Sequence, residues 1–339
     1  MDEGEGRDGA LARPRHEQRR PRVPTDALNA SRPRSALTAT AAIVSVALWA
    51  STFTVFTIAF RRVDPLAFTG ARYLLLVPIA VLWLGAGRRR GDAVPTRGDR
   101  RAAAVAGVFG YFLLEFLFVL GLVRTSAVAS AILIATHPIW GVTASAIGNR
   151  RRPRGRELLG LGVGMVGVVA FLGANGVDGV RAGDLLSLGG AMAFGIYGAI
   201  VERIGQRVPE RQLVPRSMLA GGVLLVLVST PAMLRQDWSA ALPGDWVAIV
   251  YAALGPILLG FLLWAWAMKH RGMAKTAPFG YLEPLFAASL AVAVLGDAVT
   301  APQLGGALLV LVGVVLAASG EVREAPPDAT EDIAATIRP

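Results

Sequence analysis

The sequence predicts an all-α integral membrane protein with ten transmembrane helices, arranged as two inverted-topology five-helix repeats. Three observations carry that expectation. Of 339 residues, 54% are hydrophobic and only 17% are charged, and the mean hydropathy is +0.52. A soluble domain carries about 25% charged residues, so an ordinary soluble enzyme and a disordered chain are both excluded. Ten apolar runs of spanning length follow one another, and features of the first five recur in the second five at a shift of about 145 residues.

Residues 1–35 are polar, rich in Arg, Pro, Asp and Glu, and read as a disordered cytoplasmic tail rather than a signal peptide. The spans follow at 36–60, 65–86, 101–123, 125–147, 157–174, 183–202, 213–233, 243–268, 274–296 and 302–319. A helix needs about 20 residues to cross the hydrocarbon. Only helices and closed barrels satisfy their backbone polar groups in lipid, and these runs lack the alternation of a barrel. Residues 320–339 read as a second disordered cytoplasmic tail. The first repeat is expected over 36–174 and the second over 182–319.

Charge sets the expected orientation. With the N-terminus inside, 28 of the 34 basic residues fall in cytoplasmic segments and 5 outside, with Arg72 inside the second span. That asymmetry predicts a multi-pass protein of the cell membrane with both termini cytoplasmic. The formal charge of +10 is therefore an orientation signal; 32 of the basic residues are Arg, in short loops, and no nucleic-acid partner is expected.

The repeat is legible residue by residue. Pro65 and Arg72 fall on Pro209 and Arg216, Gly110 on Gly255, and Phe116-Leu117 on Phe261-Leu262. His137-Pro138 falls on Glu283-Pro284, and Gly160 on Gly305. Five helices is an odd number, so the second unit enters the membrane inverted. Such repeats are common in secondary transporters, which points to a carrier or channel.

Several chemistries are excluded or expected to be absent. Cys is zero and His is three, which removes disulfides, thiolate sites and His-rich metal cages. There is no phosphate-binding Gly-x-x-x-x-Gly-Lys-Ser/Thr loop and no His-Glu-x-x-His. No cofactor, metal or catalytic residue is expected, and no loop is long enough for an enzymatic domain.

Trp49-Ala50-Ser51-Thr52-Phe53 resembles the Trp-Gly-Ser-Asn/Thr-Phe signature of EamA-type proteins of the drug/metabolite transporter superfamily. Pro65 with Arg72 resembles the start of that family's second helix. Tyr281-Leu282-Glu283-Pro284-Leu285-Phe286-Ala287, followed by Leu295-Gly296-Asp297, resembles the end of its second repeat. The resemblance covers 36–319 as two tandem EamA domains. Ala50 replaces the usual Gly, Asn149 stands where an acid is common, and Asp297 replaces Glu. The resemblance implies a ten-helix metabolite efflux carrier, with amino acids or related compounds favoured; the direction of export comes from it alone.

Ionisable residues inside spans cost on the order of 2.5–3.5 kcal/mol when charged, so they suggest function. Glu115, in the third span, has Gly260 as its repeat mate and is a candidate proton or amine acceptor; a structural hydrogen bond is the other reading. Glu283 is expected in the middle of the ninth span, where Pro284 frees the carbonyl of Gly280. His137, before Pro138, is its partner in the fourth span and a candidate proton relay. Arg72 either snorkels outward or serves as a counter-ion. Trp49, Tyr111, Tyr197 and Tyr281 are placed at depths where they would line a substrate cavity. Trp264, Trp266, Trp238 and Trp246 read as interfacial belt residues. Gly160-x-x-x-Gly164 and Gly305 to Gly313 suit close packing, either within the chain or in a homodimer.

The expected function is alternating-access export of a small molecule, with proton coupling through Glu115, Glu283 and His137. Membrane lipids are the other expected partner. A membrane enzyme or sensor for a lipid-linked substrate would need chemistry from Asp178, Asp184, Asp237 and Asp245, which are scattered singly on the outer side. A passive channel is the third reading.

Overall fold

The computed structural model describes residues 25–92, 94–148, 155–173, 180–205, 207–271, 279–280 and 282–318. The chain divides into two units, residues 1–37 and 38–339. In the first, residues 25–37 are helical. Regular structure therefore begins ahead of Ala36, within the segment expected to be a disordered tail. Once nucleated, a helix adds one hydrogen bond per residue fixed and needs no apolar side chain to propagate.

The second unit is a helical bundle, with no strand among the described residues. The chain's helices are α1 (Thr25–Ala59), α2 (Pro65–Arg89), α3 (Arg97–Leu122), α4 (Ala127–Gly148), α5 (Gly155–Gly173), α6 (Ala182–Gly205) and α7 (Glu210–Arg235). α8 runs Pro243–Ala252, Ala253–Gly260 and Phe261–Arg271; α9 is Glu283–Leu295 and α10 is Ala301–Ala318. Ala36–Ala59 of α1, α2, α3, α4, α6, α7 and Pro243–Trp264 of α8 are long and apolar enough to cross a membrane. Among the described residues α9 and α10 are shorter apolar helices. Large apolar side chains such as Leu82, Val169, Leu227 and Leu234 face outward, as lipid-facing surfaces require.

Local chemistry fixes the helix starts. Asp64 accepts the amides of Leu66 and Ala67, with Pro65 opening α2. Thr96 caps α3 through Asp99, and Ser126 caps α4 through Ala129. Asp297, the residue standing where Glu is usual, accepts the amide of Val128 and so adds to the start of α4 from across the chain.

α2 packs along α7, α5 along α10, and α6 against α3 and α4. Glycine permits these approaches. A side chain on Gly107 would enter the backbone of Ser217, and one on Gly313 the backbone of Gly164. Gly305, expected at the α5–α10 contact, faces open space; its neighbour Gly306 is the residue pressed against Phe171. Gly164 and Gly167 of α5 are thus used within the chain, whereas Gly155, Gly162 and Gly173 face open space.

Three stretches widen into π-helical turns: Val108–Leu113 in α3, Ala253–Gly260 in α8 and Ala291–Leu295 in α9. The first two occupy equivalent positions in the repeat. Turns of this kind gather at functional sites because they free backbone carbonyls and turn side chains out of the regular series.

Candidate functional site

The site begins with breaks in helices. α4 consists of Ala127–Ile134 and His137–Gly148, separated by Ala135 and Thr136 in a turn. The Thr136 hydroxyl donates to the Leu133 carbonyl at 2.6 Å, satisfying one group at the break. In α9, Leu282 is in a turn and Glu283 opens the helix. Glu283 therefore lies in a first turn rather than in mid-helix. Proline is the cause: it lacks an N–H and holds φ near −65°, so it fits a helix start and disrupts an interior. Tyr281 lies outside the described residues.

A second group is built on α1 and α8. The Trp49 indole Nε1 donates to the Pro256 carbonyl at 2.9 Å. Pro256 sits inside the π-helical turn, where that carbonyl is available to a side chain. The Trp49 ring lies 5.2 Å from Phe261 and 5.3 Å from Trp264, centroid to centroid. Gly260 makes room for it, because a Cβ there would lie 2.8 Å from Nε1. Trp264 thus faces inward against Trp49, not the interface expected for it. Next to Trp49, the Ser51 hydroxyl meets the Tyr251 hydroxyl at 2.6 Å.

From Phe261 the rings continue. Tyr111 lies 6.2 Å from Phe261 and meets Tyr197 edge to face at 5.9 Å. Tyr197 stacks on Phe194 at 5.6 Å, and Phe194 meets His137 at 4.7 Å. Trp264, Trp49, Phe261, Tyr111, Tyr197, Phe194 and His137 form one file of seven rings drawn from α8, α1, α3, α6 and α4. At its α8 end, Gly280 lies beside Trp264.

The third group is a charge pair. Arg72 Nη2 lies 2.6 Å from Glu115 Oε2, and the Tyr73 hydroxyl is 3.4 Å from Glu115 Oε1. The Arg72 side chain is 1% exposed, so it does not snorkel. Its guanidinium lies over Phe56 at 4.7 Å and Tyr73 at 5.2 Å. Its Nε has no partner. Glu115 is engaged by this guanidinium rather than open to an amine. Glu283 has no bonded partner among the described residues.

The sequence singled out Trp49, Tyr111, Tyr197 and His137, and the structure joins them; Arg72 and Glu115 form a separate pair. The sequence gives no site role to Tyr73, Phe194, Phe261 or Tyr251, and it places Trp264 at the interface. Phe194 was accessible in principle, three residues before Tyr197 and so on its face. Three of the scattered acids are engaged by neighbouring donors. Asp184 accepts from the Thr125 hydroxyl and the Arg181 amide, Asp237 from Ser239, and Asp245 takes Arg62 in two bonds of 2.9 and 2.8 Å. The Ser239 hydroxyl and amide hold Asp237 below the usual carboxylate range. Asp178 lies outside the described residues.

The profile of the EamA-like transporter family matches residues 36–173 and 181–319. The chain is 28% identical over 224 residues to the uncharacterized transporter YyaM of Bacillus subtilis (strain 168), covering 65% of this chain and 73% of that one. It is 26% identical over 276 residues to a probable terminal-alkyne amino-acid exporter of Streptantibioticus cattleyicolor, covering 81% and 91%. A crystal structure at 20% identity superposes with a TM-score of 0.56, covering 83% of this chain and 98% of that one, which shows a shared fold.

Proposed function

Because the chain belongs to the EamA-like transporter family, we propose that it exports a small amino-acid-like metabolite across the cytoplasmic membrane by alternating access. The observation that carries this reading is the file of seven rings, which five helices of both repeats supply next to the broken helix α4. Aromatic faces hold apolar substrate surface and attract an ammonium group. Discontinuous helices place free backbone groups at the depth where carriers bind substrate.

The halves are related by an inverted two-fold in this proposal, with both termini cytoplasmic. Repeat mates pack on each other, α2 on α7 and α5 on α10. Two ion pairs are also mates: Arg62 from the α1–α2 turn reaches Asp245 at the start of α8, and Arg207 from the α6–α7 turn reaches Asp99 at the start of α3. Each crosses from one repeat to the other. Rocking of the halves would exchange such contacts on alternate sides of the membrane.

Glu283 is the coupling group in this reading, since Glu115 is occupied by Arg72 and Glu283 is unpaired among the described residues. It takes a proton or the substrate amine in turn, with His137 as the relay. The relative named as an amino-acid exporter supports the substrate class.

The test is flux of a labelled amino-acid panel in proteoliposomes with and without a pH gradient. Saturable flux that an imposed gradient drives uphill is expected. Glu283→Gln is expected to abolish the response to the gradient while leaving substrate counterflow measurable. Flux without saturation, or gradient dependence intact in Glu283→Gln, overturns carrier action or the coupling site respectively.

A further inference from the structure

A cleft of about 550 Å³ opens between the end of α2, the start of α3 and the first half of α7. Its lining is Leu84, Arg88, Val94, Arg100, Arg216, Leu219 and Ala220. Three guanidinium groups thus converge on one space. None has a carboxylate partner among the described residues: Arg100 donates to the Pro95 carbonyl, Arg216 to Gln212, and Arg88 to no group. The acids nearest in sequence are already committed, Asp92 to Arg211 and Asp99 to Arg207. The two repeats differ at this point. Arg72 is the mate of Arg216 and meets Glu115, but the position matching Glu115 is Gly260.

Like charges held together without a counter-charge repel one another, so the arrangement is complete only with an anion. Phosphate oxygens match arginine forks, which donate in pairs. The apolar surroundings distinguish between phosphate sources. Leu219, Val223 and Leu227 form one row on α7 at a spacing of four, and Val223 and Leu227 are outward-facing. On α2, Val81 and Leu74 are exposed in the same direction along the helix from Leu84. Both walls run from the charged cleft toward mid-membrane, as acyl chains do. Basic pockets between helices at a membrane surface suit anionic headgroups.

We infer that this cleft binds the phosphate headgroup of an anionic phospholipid of the adjoining leaflet, with its acyl chains along α2 and α7. The site is separate from the ring file and does not depend on what the protein carries.

Native mass spectrometry and thermal melting of the full chain in mild detergent test it. Phosphatidylglycerol is the probe, with phosphatidylcholine and millimolar inorganic phosphate alone as the other arms. The wild type is expected to retain one phosphatidylglycerol and to melt higher with it. Arg88→Gln with Arg100→Gln removes two charges that make no bond to another side chain, and affinity is expected to fall roughly thirtyfold. Arg97→Gln, which removes a basic residue at the same end outside the cleft, is expected to bind as wild type. Equal retention by the double variant and the wild type overturns the site, and so does an equal loss in Arg97→Gln. An equal melting shift from inorganic phosphate alone assigns the cleft to a soluble anion and overturns the lipid. Should the double variant fail to fold, the single Arg88→Gln carries the same test with a roughly fivefold loss.

Discussion

The α2–α3 pair of the first repeat and the α7–α8 pair of the second descend from one pattern but do different things. Arg72 and Arg216 are mates, and so are Glu115 and Gly260. In the first half the arginine finds a carboxylate, and the two close into a buried pair beside Phe56 and Tyr73. In the second half the matching position is Gly260, and the arginine has no carboxylate partner among the described residues. Gly260 admits the Trp49 ring, which bonds the Pro256 carbonyl, and Arg216 is left to line an uncompensated cleft. Duplication supplied the helices and their π-helical turns; one position, acid in one copy and glycine in the other, separated a charge lock from an aromatic cradle.

The largest effect should follow from breaking the lock. Glu115→Ala leaves Arg72 buried without its anion, and a loss of about 3–5 kcal/mol in unfolding free energy is expected. Arg72→Leu combined with Glu115→Leu should recover most of that loss, because a buried pair replaced by apolar side chains no longer strands a charge. Chemical unfolding in detergent reads both. If the single variant is as stable as the wild type, the pair contributes nothing and the contrast between the halves fails.

A smaller effect is expected from closing the cradle. Gly260→Ala places a methyl against the indole and costs the Trp49–Pro256 bond, worth about 1 kcal/mol net. Transport efficiency should fall roughly fivefold. Gly305→Ala meets open space and should leave transport unchanged, with a slight gain in helix stability. Equal transport by the two variants would show that Trp49 does not need its position.

The smallest effects belong to the mated ion pairs. Arg62, 40% exposed, gives two bonds to Asp245, which is 2% exposed, whereas Arg207, 64% exposed, lies 3.3 Å from Asp99, which is 12% exposed. Arg207→Gln should change stability by no more than about 1 kcal/mol, and Arg62→Gln should cost more than its mate. Melting of the two variants side by side sharpens the comparison. A larger loss at Arg207 would mean that exposure does not rank these pairs.

Much of this was legible in the chain because membrane helices declare themselves. Apolar length and interrupted charge mark the helices, and a shift of about 145 residues pairs them within the sequence itself. Trp49, Tyr111, Tyr197 and His137 were accessible for the same reason: polar and aromatic groups are conspicuous among aliphatic ones. Hydropathy puts Glu283 in mid-helix because it does not register a turn beside a proline. Trp264 reads as interfacial from sequence because its distance from the helix end is the same whether it faces lipid or Trp49. Tyr73, Phe194 and Phe261 do not stand out in the sequence, because an aromatic ring in an apolar run carries no signal until its neighbours are known.

By itself, then, the sequence determined how many apolar segments there are, which residues are mates and which ionisable groups are at odds with lipid. Those follow from composition and spacing, because burying a polar group in hydrocarbon is costly wherever it occurs. Tertiary structure alone decided that Arg72 is committed to Glu115, that Trp49 closes on the Pro256 carbonyl and that three arginines share a cleft. Each depends on which faces of distant helices meet, and close packing, with glycine as spacer, settles that choice at separations the chain order does not record.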